Sequence, residues 1–203
     1  MKKLFTTKNL VLMAMFSALA AVLMLLEFPL PFIAPSFYEI DLSEIPILVG
    51  SFIMGPVAGV IMEAVKIMLK LLIKGTSTAY VGDFANFCVG CCLVVPASII
   101  YKHKKSKKNA FIGMAVGTAF MAAAGVILNY FIMIPFYVKA FGMPLDAIIG
   151  AGAKINSLIS NKLTFVLICV APFNVVKGVI DGLITALIYK RISIFIKSIG
   201  NKK

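Results

Sequence analysis

Long apolar runs alternate along this chain with short stretches rich in proline, glycine or lysine. A helix needs about 20 apolar residues to cross the hydrocarbon core of a bilayer, and the runs predict six crossings. The first runs from about Asn9 to Leu26. The second, from about Ser43 to Met54, is short enough to be tilted or partly sunken. The third runs from about Val57 to Ile73, the fourth from about Gly82 to Tyr101 and the fifth from about Asn109 to Tyr137. The sixth is predicted over Pro172 to Arg191, with Pro172 in the first helical turn, where its missing N–H is no loss. Between the first two runs, Pro29, Pro31 and Pro35 with Glu39, Asp41 and Glu44 predict an ordered outer loop. Gly55-Pro56 predicts a tight inner turn. Gly75-Thr-Ser-Thr predicts an outer turn, and residues 138–171 an outer loop with one or two short helices.

Composition agrees with the pattern. Of the 203 residues, 61% are hydrophobic and 14% charged, and the mean hydropathy is +1.02. A soluble domain is about half apolar and a quarter charged, so lipid must cover this surface. The expectation is one all-α integral membrane domain over residues 1–203, multi-pass, in the plasma membrane of a prokaryote. The Leu10–Leu26 run is too long for a secretory signal core, and Glu27-Phe-Pro-Leu-Pro offers no small-x-small cleavage site.

The net charge is +12, which by itself would suggest nucleic acid. Its distribution argues for topology instead. Lys2, Lys3 and Lys8 precede the first run. Lys102, Lys104, Lys105, Lys107 and Lys108 share one connector. Lys190, Arg191, Lys197, Lys202 and Lys203 close the chain. Basic clusters flanking apolar spans mark the cytoplasmic side. With six crossings all three clusters fall there, both termini are cytoplasmic, and Glu27, Glu39, Asp41, Glu44, Asp83 and Asp146 fall on or near the outer side.

Cys88, Cys91, Cys92 and Cys169 lie in apolar segments. The single histidine, His103, sits in the basic connector, so a zinc site lacks ligands, and free thiols are expected. There is no phosphate-binding loop, nucleophile elbow or zinc-protease motif. No catalytic residue and no cofactor is expected.

Polar groups inside spans are costly, so each is a candidate for function. Asn174 and Lys177, three apart on one helical face, are expected near the outer start of the sixth span, where free N–H groups would add to them. Asn129 lies 19 residues above Ala110, or about 28 Å up the fifth span, at the same level. Asn86 and Asp83 start the fourth span, and Tyr38 with Phe37 lies in the first outer loop. Together these predict an outward-facing pocket with a few placed hydrogen-bonding groups in an apolar wall. Two readings of Lys177 stand side by side, ligand contact and an ion pair with Asp181 one turn on. On the third span Glu63 and Lys66 read as an internal ion pair or, more sharply, as a proton or ion relay. No acidic partner on a neighbouring span is expected. On the first span Ala14 with Ala18, and Ser17 with Ala21, permit close helix approach, either within the chain or with a partner.

These segments carry a resemblance. Asp41-Leu-Ser-Glu-Ile-Pro, Phe52-Ile-Met-Gly-Pro-Val-Ala-Gly and Lys66 seven after Gly59 resemble the substrate-binding S components of energy-coupling-factor (ECF) vitamin transporters. Gly82-Asp-Phe-Ala-Asn-Phe and Pro172-Phe-Asn-Val-Val-Lys resemble their riboflavin-specific RibU branch. The resemblance implies an outward-facing riboflavin receptor that docks to a transmembrane coupling subunit and two cytoplasmic ATPases. It implies that Asn129, Asn174 and Lys177 meet the polar end of the isoalloxazine, that Tyr38 and Asn86 line or cover the rest, and that Ala14-x-x-x-Ala18 is the docking motif. An S component for another vitamin and an independent ion-coupled carrier are the competing expectations.

Overall fold

The computed structural model describes residues 4–200, with side chains described as far as residue 188. Lys2, Lys3, Lys202 and Lys203 therefore lie outside the described residues, as do the side chains of Lys190, Arg191 and Lys197.

Among the described residues, seven helices follow one another with a short ribbon between the first two. They are α1 (Thr7–Leu25), β1 (Phe28–Pro29), β2 (Glu39–Ile40), α2 (Glu44–Met54), α3 (Pro56–Lys74), α4 (Val81–His103), α5 (Lys107–Ala140), α6 (Leu145–Ala153) and α7 (residues 162–200). The ribbon is antiparallel, with Phe28 opposite Ile40 and Pro29 opposite Glu39. Helices α1, α4, α5 and the Lys162–Ile188 part of α7 are long and apolar enough to cross a membrane.

The surface is that of a protein dissolved in lipid. Leu10, Met15, Leu19 and Val22 of α1, Leu72 of α3, Phe131 of α5 and Leu187 of α7 all point outward. An apolar exterior on this scale is sustained by hydrocarbon and not by water. Helix α3 follows the same rule, because its charged residues Glu63, Lys66 and Lys70 point into the bundle. Helix α2 is the exception. Its 11 residues reach only about 16 Å, and the nine from Glu44 to Phe52 are all buried.

Packing is tightest between α4 and α5. A side-chain carbon at Gly113 would stand 2.6 Å from the Ala97 carbonyl oxygen, and one at Gly117 would overlap the Leu93 carbonyl. Glycines four apart on α5 thus let two backbones touch, as small residues do in membrane helix pairs. Two apolar clusters result. One joins Met13, Leu48, Phe52, Leu93 and Met114, and the other joins Ile40, Ile148, Phe165, Val166 and Phe173.

The predicted start of the last span is corrected. Helix α7 begins at Lys162, ten residues before Pro172, with a capping box in which Asn161 and Thr164 bond each other's backbone N–H. Pro172 lies inside the helix. A proline there removes an N–H and collides with the carbonyl four residues back. The chain relieves this with a π-helical turn at Val166–Val170 just ahead of it. Helix α5 repeats the device, with a π turn at Asn129–Met133 ahead of Pro135. Residues 138–171 accordingly hold the end of α5, the short α6 and the first turns of α7, so the outer loop is shorter than predicted.

Candidate ligand-binding site

The six residues predicted to bind ligand line one cavity of about 410 Å³. Asn129 comes from α5, Asn174 and Lys177 from α7, Asp83 and Asn86 from α4, and Tyr38 from the loop before β2. The cavity lies at the end of the bundle away from the lysine connector, and each apolar cluster contributes to its wall, the first through Met121 and the second through Phe173.

The α5 π turn positions Asn129. Its Nδ2 donates to the Gly125 carbonyl at 2.8 Å, and its Oδ1 accepts from the Tyr38 hydroxyl at 2.6 Å. Asn174 Nδ2 donates to the Val170 carbonyl at 2.9 Å, at the end of the α7 π turn. Gly125 makes room for it, since a side-chain carbon there would come within 2.5 Å of Asn174 Nδ2. An amide carries two donor hydrogens and a two-lone-pair acceptor. Both asparagines therefore keep hydrogen-bonding capacity beyond these bonds. Tyr38 packs against Phe173 at 5.6 Å and Phe165 at 6.3 Å between ring centroids. Burial above all, with Tyr137 and Cys169 nearby, raises its phenol above the ordinary value, so it serves as a neutral donor. Lys162 lies 4.1 Å over the Tyr130 ring and ties the start of α7 to α5.

The ion pair expected for Lys177 is corrected. It bonds Asp41 Oδ2 at 2.6 Å, not Asp181, and both ends are buried. The Ser43 backbone N–H donates to Asp41 Oδ1 at 2.8 Å. Burial alone would raise the Asp41 carboxyl. The Lys177 and Lys66 charges and these two hydrogen bonds outweigh it and hold the group at about 2. Asp181 is buried with neither carboxyl oxygen hydrogen-bonded. The helix start expected to aid Asn174 is also absent, because α7 begins about 18 Å earlier at 1.5 Å per residue.

Asp83 is engaged rather than open. Its Oδ1 accepts from Lys70 Nζ and its Oδ2 from the Thr76 hydroxyl, each at 2.6 Å, which pins the α3–α4 turn. Nearer the exposed rim, Glu27 pairs with Lys74, and Glu39 lies beside Glu27. Burial, then the charge and hydrogen bond of Glu27, raise the Glu39 carboxyl above its ordinary value against the pull of Lys74.

The expectation that Glu63 and Lys66 lack an acidic neighbour is corrected. Lys66 Nζ lies 2.8 Å from Glu44 Oε1 on α2 and 2.6 Å from Glu63 Oε2, and all three side chains are fully buried. The Glu63 contact is close but poorly aligned as a hydrogen bond. Gly90 of α4 admits the triad, since a side-chain carbon there would stand 2.9 Å from both carboxylates. None of the three lines the cavity.

On α1 the two small-residue pairs separate. Ser17 and Ala21 are buried against the chain itself, and the Ser17 hydroxyl donates to the Met62 carbonyl at 3.3 Å. Ala14 and Ala18 are exposed beside Met15 and Leu19.

Comparison with known proteins places this geometry in a family. The family model for the ECF transporter substrate-specific component matches residues 8–189. Riboflavin transporter RibU of Staphylococcus aureus (strain TCH60) is 35% identical over 193 residues, covering 95% of this chain and 94% of that protein. Riboflavin transporter FmnP of Bacillus subtilis (strain 168) is 33% identical over 191 residues, covering 94% of each. A solved structure of the S component of a bacterial ECF transporter superposes with a TM-score of 0.72 at 34% identity, covering 94% of this chain and 98% of that one. The chain is an all-α, multi-pass bacterial membrane protein that belongs to the ECF transporter substrate-specific components, in the RibU and FmnP family.

Proposed function

We propose that this chain captures riboflavin from outside the cell and hands it to an ATP-driven coupling module. The observation that carries the reading is the convergence of Asn129, Asn174 and Lys177 on one cavity from two helices, in a chain whose relatives are riboflavin transporters. The pyrimidine edge of a flavin presents carbonyl acceptors and an N–H. Amides serve both, and an ammonium serves the acceptors.

In this reading α1, α2, α3, α4, α5 and α7 make six crossings, both termini are cytoplasmic and the cavity opens outward. The exposed Lys102, Lys104, Lys105, Lys107 and Lys108 at the opposite end support that orientation. An impermeant thiol reagent is expected to label Ser106→Cys only from the cytoplasmic side, and labelling of intact cells would reverse it. The exposed Ala14 and Ala18 form the face on which a transmembrane coupling subunit sits, itself joined to two cytoplasmic ATPases.

The test separates capture from transport. Purified protein is expected to quench riboflavin fluorescence on binding. Ala14→Leu and Ala18→Leu are expected to keep that binding and lose uptake, because bulk there holds a partner helix away. A parent protein that binds no riboflavin would refute the reading, and Leu variants with full uptake would move the docking face elsewhere.

A further inference from the structure

The proposed function leaves part of the cavity lining unassigned. Besides the amides and Lys177, whose charge Asp41 already meets, the polar lining includes Glu27, Glu39, Lys70, Lys74, Thr76 and Asp83. Three are carboxylates and two are ammoniums. Lys70 is bonded to Asp83 and Lys74 to Glu27, so each cation already has an acid against it. Glu39 is the carboxylate left over, exposed at the rim on β2.

Such a wall treats two kinds of ligand tail differently. A polyhydroxylated tail is neutral, and its O–H groups can donate to carboxylates and accept from ammoniums. A phosphate monoester carries about −1.5 to −2 at neutral pH. It needs cations in excess, and here acids are in excess. Like charges held close cost binding energy, and specificity is built from such repulsion as well as from attraction.

Building on the riboflavin reading, we infer that Glu39, with Glu27 beside it, makes the cavity select a free hydroxylated tail over the same tail ended by a phosphate. The ring amide end cannot make this distinction, because riboflavin and its 5′-phosphate are identical there. The α3–α4 turn holds its share of the lining, since Thr76 and Lys70 both bond Asp83.

The test is the ratio of two affinities, for riboflavin and for riboflavin 5′-phosphate, measured by fluorescence quenching at about pH 8 and low salt. One charge removed several ångströms from the phosphate in a partly wet site is worth about fivefold. Glu39→Gln is expected to shift the ratio toward the phosphate ester by about that factor, and Glu39→Lys by more. Both shifts should shrink at about 0.5 M salt, where screening acts over a few ångströms. A ratio within twofold of the parent in both variants overturns the inference while leaving riboflavin binding intact. A parent that binds neither flavin overturns the reading beneath it as well.

Discussion

Lys66 and Lys177 are both buried lysines against carboxylates, yet they sit in different kinds of site. Lys66 is fully enclosed between Glu44 and Glu63, at 2.8 and 2.6 Å, and faces no cavity. Lys177 has one carboxylate, Asp41 at 2.6 Å, and lines the cavity. An ammonium has three donors. At Lys66 one donor bonds Glu44 and a second acid, Glu63, crowds the ammonium with no space left beside it, whereas Lys177 keeps two donors facing a cavity after its pair with Asp41. The lesson is that burial and ion pairing do not separate structure from function in this bundle. What separates them is donor capacity left over and a space to use it in.

The largest expected effect follows from closing off Lys66. Lys66→Met leaves Glu44 and Glu63 facing each other without solvent or cation. Breaking a buried pair by removing one partner costs about 3–5 kcal/mol, while replacing the whole set by neutral groups is tolerated. Lys66→Met is expected to lose most folded protein on extraction, measured by size-exclusion yield and thermal unfolding. The triple variant with Glu44→Gln and Glu63→Gln is expected to recover it. A single variant as stable as the parent would show that the triad contributes no stability, and would reopen the relay reading.

Much of this was legible in the sequence, and the failures share a cause. The apolar runs located α1 to α5 within a few residues, and Asn129, Asn174 and Lys177 do line one cavity, although the level read for the last two rested on a helix start ten residues too late. What misled was proline. Pro172 reads as a helix start because an ordinary α-helix excludes it from the interior. A π turn ahead of it removes that objection, and periodicity does not register a turn with one extra residue. Asn161-Lys-Leu-Thr164 was the readable signal for the true start. The acids were the second gap. Asp41 and Glu44 looked like outer-loop charges, but α2 is sunk in the bundle and carries them in beside Lys177 and Lys66. Sequence spacing pairs residues along one helix, such as Lys177 with Asp181, and is blind to partners 136 positions away.

The next effect down belongs to the cavity side of the comparison. Asn129→Ala and Asn174→Ala each remove groups that have spare hydrogen-bonding capacity toward the cavity. A buried ligand group left without its partner loses about 1–3 kcal/mol, which at about 1.4 kcal/mol per decade is about five- to more than a hundredfold in affinity. Both variants are expected to bind riboflavin that much more weakly while remaining folded. Lys177→Met alone would also strand Asp41, so it is paired with Asp41→Asn. The double variant is expected to fold and still bind poorly, which distinguishes Lys177 from Lys66, whose neutralised site loses nothing but its charges. Parent-like binding in both asparagine variants would place the ligand elsewhere.

The smallest effect concerns pH, and it tests whether the Lys177 pair is as settled as its geometry. The Asp41 carboxyl is held at about 2, below an ordinary aspartate near 3.9. A carboxyl depressed on folding contributes stability that is fully present above its unfolded value and is lost as the pH falls through its folded value. Between about pH 5 and 8 the parent therefore keeps Asp41 ionised, and the double variant Lys177→Met with Asp41→Asn has nothing to titrate at either position. Other carboxyls, Glu39 among them, do change over that range, but they change in both proteins. The ratio of riboflavin affinities of parent and this double variant is accordingly expected to stay constant within about twofold from pH 5 to 8, since Asp41 does not cross its midpoint there. A ratio drifting tenfold, about 1.4 kcal/mol, would mean that Asp41 exchanges protons in the working range. The Lys177 pair would then be a variable part of the site, and the contrast with the enclosed Lys66 triad would widen from donor capacity to charge state.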